Sequence, residues 1–108
     1  HLPVSDVIVD FAVKLSTFSR PENSNSPEFI QKWVNWGAGP RASQYLVLAA
    51  KANALLNGRL TPIFDDVKKV VQPILRHRII LNFSAEAEGI SVENVVDQLV
   101  NEVSKKII

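Results

Sequence analysis

The chain has 108 residues, of which 46% are apolar and 21% are charged, and these values are ordinary for one soluble globular domain. Twelve Lys and Arg residues against eleven Asp and Glu residues leave a net charge of +1, which argues against a duplex nucleic-acid binder because such proteins usually carry a clear basic excess. The absence of Cys excludes a disulfide framework and thiolate metal sites, and no apolar run approaches the ~20 residues that a membrane span needs.

The sequence contains no Met and begins with His1, whereas a translated gene product begins with Met. We therefore expect an excised domain or a processed piece of a longer protein, with His1 as a candidate tag remnant. At this length roughly two thirds of the unfolded surface can be buried, which is enough for one core. Residues 1–108 are accordingly predicted to form a single domain.

Helical periodicity opens the chain. Apolar residues at steps of three and four predict a helix over residues 5–18, with Ser5 as its N-cap. The predicted core stripe of this helix comprises Val7, Ile8, Phe11, Ala12, Leu15 and Phe18. Residues 19–28 are rich in Pro, Asn and Ser and have little to bury, so they predict an exposed and mobile loop.

A second helix is predicted to begin at Ser26 and Pro27, an N-cap followed by Pro at the first helical position. It should end near Trp36, because Gly37 can adopt the left-handed conformation that closes helices. Trp33 lies on the apolar stripe of this helix, so we interpret it as a core residue rather than half of a partner-binding pair with Trp36.

The third helix is predicted to begin at Pro40, which has no N–H to leave unpaired, and to end at Asn57 before Gly58. Its predicted core face contains Tyr45, Leu48, Ala49, Ala52, Leu55 and Leu56. Several alanines make the helix slim along one side, which allows neighbours to approach closely. We therefore expect it to be the central helix of the bundle.

A fourth helix is predicted to begin at Thr61-Pro62, again an N-cap followed by Pro. Pro73 inside its apolar stripe predicts a kink or break near Val71. The apolar residues 79–83 predict a short extended piece that pairs with the segment near Leu60.

Residues 85–89 predict one helical turn, and Ser91 then caps a last helix. The stripe of that helix comprises Val92, Val95, Val96, Leu99, Val100 and Val103. The fold class predicted from all these elements is an all-α, compact bundle of about five helices, to which one very short extended pair is the only β addition.

Catalytic patterns are missing from this sequence. Its four glycines do not form a phosphate-loop motif, and His77 has no carboxylate cluster at metal-ligand spacing around it. Arg76 and Arg78 flank His77 and disfavour the protonated form that a general base must reach. These three residues therefore remain either a solvated basic helix end or an interface patch.

The unusual local feature is Arg41, a cation placed where the positive end of a helix dipole disfavours it. Gly37 and Gly39 would let a phosphate or another backbone come close, and Pro40 begins a helix whose first N–H groups point outward. The pattern indicates either an anion site or a plain Gly-Pro turn beside a solvated Arg41.

The motifs around Arg41 resemble the C-terminal lid of MoxR-type AAA+ ATPases. The similar segments are Trp36 to Ser43 (WGAGPRAS), LVLAAKANALLNGR, Thr61-Pro62 with Asp65-Asp66-Val67, and Pro73 to Ile79 (PILRHRI). The opening Val4-Ser5-Asp6, the stretch Thr17 to Pro21 and the closing AEAEGIS are also similar. The resemblance covers nearly the whole chain in order.

This resemblance implies the lid of a ring-forming, usually hexameric, cytoplasmic ATPase that remodels proteins in a chaperone-like way. Gly37 to Arg41 match the family's sensor 2 motif, so Arg41 would contact the terminal phosphates of ATP; many members have Ser or another small residue at the position of Gly39. ATP and Mg²⁺ would be bound by the parent protein, whose phosphate-loop, sensor 1 and arginine-finger motifs belong to a larger upstream domain and are not in this sequence.

The implied partners are that upstream core domain, neighbouring subunits of the ring and proteins with a von Willebrand factor A domain. The alternative interpretation is a free-standing helical protein-interaction module that uses Trp36 or the basic patch near His77.

Overall fold

The computed structural model describes the backbone of residues 5–107 and the side chains of residues 5–106, so His1 and Val4 lie outside the described residues. Six helices and one two-stranded sheet follow in the order α1 (Asp6–Thr17), α2 (Glu28–Trp33), β1 (Val34–Trp36), α3 (Arg41–Leu56), α4 (Phe64–Leu75), β2 (Ile80–Leu81), α5 (Phe83–Ala87) and α6 (Val92–Ile107). The predicted all-α bundle is confirmed, and the sixth helix is the short α5, where a single helical turn was expected.

The core lies between α1, α3, α4 and α6, which pack against one another. Each of these helices contributes fully buried apolar side chains, among them Phe11, Leu46, Val67 and Leu99. The Phe11 ring meets the Phe64 ring edge to face, with centroids 5.2 Å apart, an arrangement that adds to the burial of both rings. The predicted stripe of α6 is confirmed as a core face.

Two of the predicted helix starts are confirmed in detail. The Ser5 hydroxyl accepts a hydrogen bond from the N–H of Ile8 at 3.4 Å, and the Ser91 hydroxyl accepts from the N–H of Asn94 at 3.1 Å. Both bonds satisfy donors that have no partner inside the helix. One member of the α1 stripe was assigned wrongly, because Val7 is exposed while its neighbour Ile8 is buried.

The loop after α1 is not simply exposed, which corrects the sequence prediction. Ser19 and Ser26 are buried, and the Ser26 hydroxyl donates to the carbonyl oxygen of Arg20 at 2.7 Å. The Ser26 hydroxyl thus satisfies a backbone carbonyl of the same segment, and a polar side chain that is hydrogen-bonded in this way can be buried.

The second helix is shorter than predicted, and it begins and ends elsewhere. Pro27 precedes α2 as its N-cap without a side-chain cap, and the helix ends at Trp33 rather than near Trp36. Asn82 explains this end, because its N–H donates to the Trp33 carbonyl and its side-chain amide donates to the Lys32 carbonyl, both at 2.8 Å. The last carbonyls of α2 are therefore satisfied by a distant segment.

The residues after α2 form strand β1, which pairs antiparallel with β2 in a register that places Val34 opposite Leu81 and Trp36 opposite Ile80. The extended piece near residue 80 was predicted correctly, but its partner is β1 and not the segment near Leu60. The predicted left-handed closure at Gly37 is also wrong, since the positive φ values of the described residues occur at Gly58 and Gly89.

Helix α3 ends as predicted, at Gly58 with φ of 77°, but it turns the opposite face toward the core. Its buried residues are Ala42, Leu46, Ala50 and Ala54, whereas Leu48 and Leu55 of the predicted core face are exposed. Ala and Leu surround most of this helix, so apolar periodicity could not select a face. The buried alanines allow α1 and α4 to approach closely.

Helix α4 does not break near Val71 but continues to Leu75 with Pro73 inside it. Pro73 lies in the last turn, so the cost of its missing N–H is limited to one hydrogen bond close to the helix end. The N-cap of α4 is Ile63, two residues after the predicted Thr61.

A buried carboxylate joins α3 to α4. Asp66, which is fully buried, accepts hydrogen bonds from the N–H of Ile63 and from the side-chain amide of Asn53, each at 2.7 Å. It also forms a hydrogen-bonded ion pair with the guanidinium group of Arg59, in the turn between the two helices. One side chain therefore fixes the end of α3, the turn and the first residues of α4 relative to one another.

Burial by itself raises the pKa of Asp66, but the hydrogen bonds from Ile63 and Asn53 and the charge of Arg59 outweigh it, so this pKa lies below its ordinary value. The unfolded chain, with an Asp pKa of about 3.9, then takes up the proton first. The carboxylate consequently stabilises the fold above pH ~4, and this contribution is lost as the pH falls from there toward the folded pKa.

We expect Asp66→Asn to lower the free energy of unfolding at pH 7 by about 3 kcal/mol, because it removes a buried, hydrogen-bonded charge. Urea unfolding at a series of pH values measures this. The variant should also lose less stability than the parent chain between pH 6 and pH 3. Asp65→Asn, an exposed acid in the same helical turn, is the matched control; if both variants behave alike, the role of Asp66 is refuted.

Candidate functional site

Arg41 is the first residue of α3, and its side chain is exposed. The residue before it, Pro40, already has helical backbone angles, with φ of −59° and ψ of −30°. The first turn contains no acidic side chain, and within the described residues Arg41 takes part in none of the ion pairs. Its guanidinium group is thus available to an anion from outside the domain.

Gly37 holds the loop before Arg41 against the end of α1. A Cβ added at Gly37 would overlap the carbonyl oxygen of Ser19 and would lie 2.6 Å from the Cα of Arg20, and real Cβ atoms do not approach backbone so closely. A glycine is therefore required for the contact of two backbones, and not for a left-handed conformation.

Ser19 completes this contact from the side of α1. Its buried hydroxyl accepts a hydrogen bond from the N–H of Ala38 at 2.9 Å and donates to the carbonyl oxygen of Ser16 at 2.6 Å. Ala38 is itself fully buried. The chain is consequently anchored at Gly37 and Ala38, four and three residues before Arg41 begins the helix.

Gly39 and Pro40 behave differently from Gly37, since both are exposed and a Cβ at Gly39 would meet no atom within 4 Å. Together with Ser43 and the end of α1 they line a cavity of about 140 Å³. Arg20 also lines this cavity, but its guanidinium group pairs with Glu22 at 3.0 Å. The cavity is smaller than the ~300–1,000 Å³ pockets that hold drug-sized ligands, so these residues cannot enclose a ligand of that size.

The predicted basic patch lies at the same end of the molecule as Arg41. Arg76, His77 and Arg78 are exposed and follow α4, which runs antiparallel to α3. The guanidinium carbon of Arg78 lies 4.9 Å from the centroid of the Tyr45 ring, one helical turn beyond Arg41. Arg78 also donates to the carbonyl oxygen of Ile74 at 2.7 Å, so it caps α4 as well as covering Tyr45.

The two tryptophans have separate environments. Trp33 packs against the core with part of its surface exposed, and its indole N–H donates to Glu88 at 3.1 Å. Trp36 is 64% exposed on β1. They therefore do not form a joint binding pair, and only Trp36 presents its ring to solvent.

Residues 5–107 contain no group of three or more His, Asp or Glu residues arranged to hold a metal ion. None of the helices within the same range combines the length and the apolar character that crossing a membrane requires.

The sequence did not reveal the roles of Ser19, which anchors the loop before Arg41, and of Asp66, which fixes the far end of α3. Ser19 was read as part of a loop, and nothing in the sequence indicates its contact with Ala38, 19 residues away. The position of Asp66 gave a weak indication, because an acidic side chain three residues after an N-cap often accepts a hydrogen bond from the backbone N–H of the N-cap residue. The partners Asn53 and Arg59 lie outside that local pattern.

Comparison with known proteins identifies the family. A model described as the AAA lid domain matches residues 29–99. The chain therefore belongs to the AAA lid domain family, and the resemblance to MoxR-type lids that the motifs around Arg41 indicate is confirmed.

Two proteins and one solved structure are similar to most of this chain. Chaperone MoxR1 of Mycobacterium tuberculosis is 35% identical over 101 residues, which are 94% of this chain and 27% of that protein. YeaC of Bacillus subtilis, an uncharacterized protein, is 39% identical over 81 residues, 70% of this chain and 25% of its own length. The crystal structure of a candidate ATPase from Cytophaga hutchinsonii has a TM-score of 0.85 and 33% identity, over 93% of this chain and 30% of that one. The chain thus spans between a quarter and a third of these proteins.

We expect Gly37→Ala to lower the free energy of unfolding by about 1–3 kcal/mol or more, because the added methyl group overlaps backbone that cannot move aside cheaply. Gly39→Ala is the matched control and should change it by less than about 1 kcal/mol, since its Cβ enters open space. Thermal or urea unfolding of the two variants compares them directly. Equal effects would mean that Gly37 does not hold the loop on α1.

Proposed function

We propose that this chain is the lid that closes over ATP bound by the larger domain of a MoxR-like AAA+ ATPase, with Arg41 as its sensor 2 arginine. The observation that carries the proposal is the placement of Arg41, which is exposed, outside the ion pairs of the described residues and fixed at the first turn of α3 by the Gly37–Ser19 contact. A guanidinium group beside outward-pointing helix N–H groups is suited to a phosphate.

In this mechanism the position of the lid depends on whether the bound nucleotide has its γ-phosphate. Arg41 contacts the terminal phosphates, so the closed arrangement is favoured while the γ-phosphate is present and loses that contact after hydrolysis. A charge-assisted contact of this kind contributes about 1.5–3 kcal/mol. That is enough to bias the rotation of a lid but too little for the isolated domain to bind ATP tightly.

The remaining parts of the machine lie in the parent protein under this proposal. Its core domain binds ATP and Mg²⁺, and its subunits form a hexameric cytoplasmic ring that remodels other proteins in a chaperone-like way. The relative from Mycobacterium tuberculosis is named as a chaperone, which supports a remodelling role. Proteins with a von Willebrand factor A domain are the proposed partners, and Gly37, Gly39 and Pro40 shape the approach of the phosphates to Arg41.

A free-standing helical interaction module is the second candidate, and the exposed ring of Trp36 favours it. The two functions differ in what precedes residue 1 in the gene. A phosphate-loop motif roughly 200 residues upstream, the length of one further domain, supports the lid. A reading frame without such a motif supports the module.

We expect Arg41→Ala in the full-length ATPase to reduce ATP turnover by about ten-fold or more, since a contact of 1.5–3 kcal/mol with the phosphates is lost. Steady-state hydrolysis rates measure this, and circular dichroism of the isolated chain checks that the variant folds. Arg76→Ala removes an exposed cation from the same end of the molecule and is the matched control. Unchanged turnover in Arg41→Ala would eliminate the sensor role.

The isolated chain should show no ATP binding at micromolar concentrations in a calorimetric titration. The cavity beside Gly39 and Pro40 is too small for a nucleotide, and Arg41 offers one charge-assisted contact, whereas a micromolar Kd requires about 8 kcal/mol. Tight binding by the chain alone would show that the site is complete without a core domain, which contradicts the proposed division of labour.

A further inference from the structure

Helix α3 has two apolar faces, and only one of them is covered. Its inner face, from Ala42 to Ala54, packs in the core. The outer face, which we call the α3 strip, consists of Tyr45, Leu48, Ala52, Leu55 and Leu56. Leu48 is 61% exposed, Leu55 52% and Leu56 87%. A contiguous row of exposed leucines is uncommon on a protein that works alone and marks a surface that another body covers.

Arg41 belongs to the same face as the strip. From Arg41, the residues Tyr45, Leu48, Ala52 and Leu55 follow at offsets of four, seven, eleven and fourteen, which is the spacing of one side of a helix. The row extends over about 22 Å. Because a helix is rigid over this length, a body that brings a phosphate to Arg41 also faces Tyr45 and Leu48.

The charges on the segment that carries the strip are of one sign. No Asp or Glu occurs between Glu28 and Asp65, a segment that includes all of α3. Arg78 lies over the ring of Tyr45 and adds a cation next to Arg41. The covering surface is therefore expected to be apolar at its centre and to present acidic groups or phosphate oxygens at the Arg41 end.

The strip continues into a groove between α1 and α3. A cavity of about 370 Å³ there is lined by Val9 and Val13 of α1 and by Val47 and Leu48 of α3, together with Ser43 and Gln44. Val9 and Val13 are exposed although they lie on the helix that carries the core residue Phe11. The groove thus widens the apolar surface at the Arg41 end and adds a concave part to it, into which a side chain of a partner can insert.

We propose that the α3 strip is the surface onto which the nucleotide-holding domain of the same ATPase chain docks. This inference rests on the proposed function, because it takes the body that delivers the phosphates to Arg41 as the body that covers the strip. The length of the relative MoxR1 is consistent with a docked domain in the same chain, since the match covers 27% of that protein and leaves most of its length for further domains. Apolar docking along α3 and the contact at Arg41 would then close together, as one rigid movement.

Thiol labelling tests this proposal, because the chain has no cysteine of its own. Leu48→Cys and Leu55→Cys place a thiol on the strip, and Val7→Cys places one on an exposed position of α1 that faces Lys106 and not α3. Labelling rates are measured in the isolated chain and in a full-length ATPase freed of other cysteines, with a non-hydrolysable ATP analogue. We expect both strip thiols to react on the order of ten-fold or more slowly in the full-length protein, since a covered thiol reacts only when the interface opens. The Val7→Cys thiol should react equally in both.

Equal labelling rates of the strip thiols in the two proteins would overturn the proposal. Protection that appears only in assembled rings and not in monomeric subunits would also overturn it, and would assign the strip to a neighbouring subunit. Protection in the isolated chain that increases with its concentration would assign the strip to a second copy. Measuring turnover of Arg41→Ala beside labelling of Leu48→Cys with Arg41 intact separates this proposal from the sensor role. Normal turnover of Arg41→Ala with a protected Leu48→Cys thiol removes the sensor role and keeps the docking surface, whereas lost turnover of Arg41→Ala with a freely reacting Leu48→Cys thiol does the reverse.

Discussion

The arrangement of this domain depends on the buried carboxylate of Asp66. Its two oxygens accept from the last turn of α3, from the turn between the helices and from the N–H of Ile63, the N-cap of α4, so the three donors must keep fixed positions relative to one another. The buried apolar side chains of the two helices are Ala, Val and Leu, which pack without directional bonds. A buried charge is costly unless it is fully paired, so the network excludes the arrangements that apolar packing alone would tolerate.

The Asp66 network also affects the other end of the α3–α4 pair, where Arg41 lies. Since α3 and α4 are antiparallel, fixing the Asp66 end also fixes where Arg78 meets Tyr45 and where Arg41 begins α3. A second anchor acts there directly, because Gly37 lies on the backbone of Ser19 and the Ser19 hydroxyl holds Ala38. With an anchor at each end, α3 is held as part of a rigid body. A force applied at Arg41 by a bound phosphate would therefore move the whole domain instead of one loop.

The parts of this fold that depend on local chemistry could be predicted from the sequence, and the parts that depend on long-range contacts could not. The N-caps Ser5 and Ser91 and the stop at Gly58 follow from single residues and their neighbours. The outer face of α3 was mistaken for its core face because Ala and Leu surround that helix, so the choice was made by α1 and α4. Likewise, α2 ends where Asn82 takes its last carbonyls, 49 positions after Trp33, and no local pattern contains that information.

The candidate site shows the same division. Arg41 could be singled out because a cation at a helix start contradicts the helix dipole, and the structure keeps it exposed. Two roles were predicted for Gly37, and the structure confirms the close approach of another backbone but not the left-handed turn. Ser19 could not be recognised at all, because its role exists only once α1 and the loop before α3 have met.

The contrast between Gly37 and Gly39 has a consequence for the redesign of this domain. The fold constrains the two glycines differently, because a side chain at position 37 would meet backbone and one at position 39 would enter open space. A reporter group can therefore be introduced at position 39, two residues before Arg41, without moving the end of α1, whereas the same change at position 37 would displace the segment that carries Arg41.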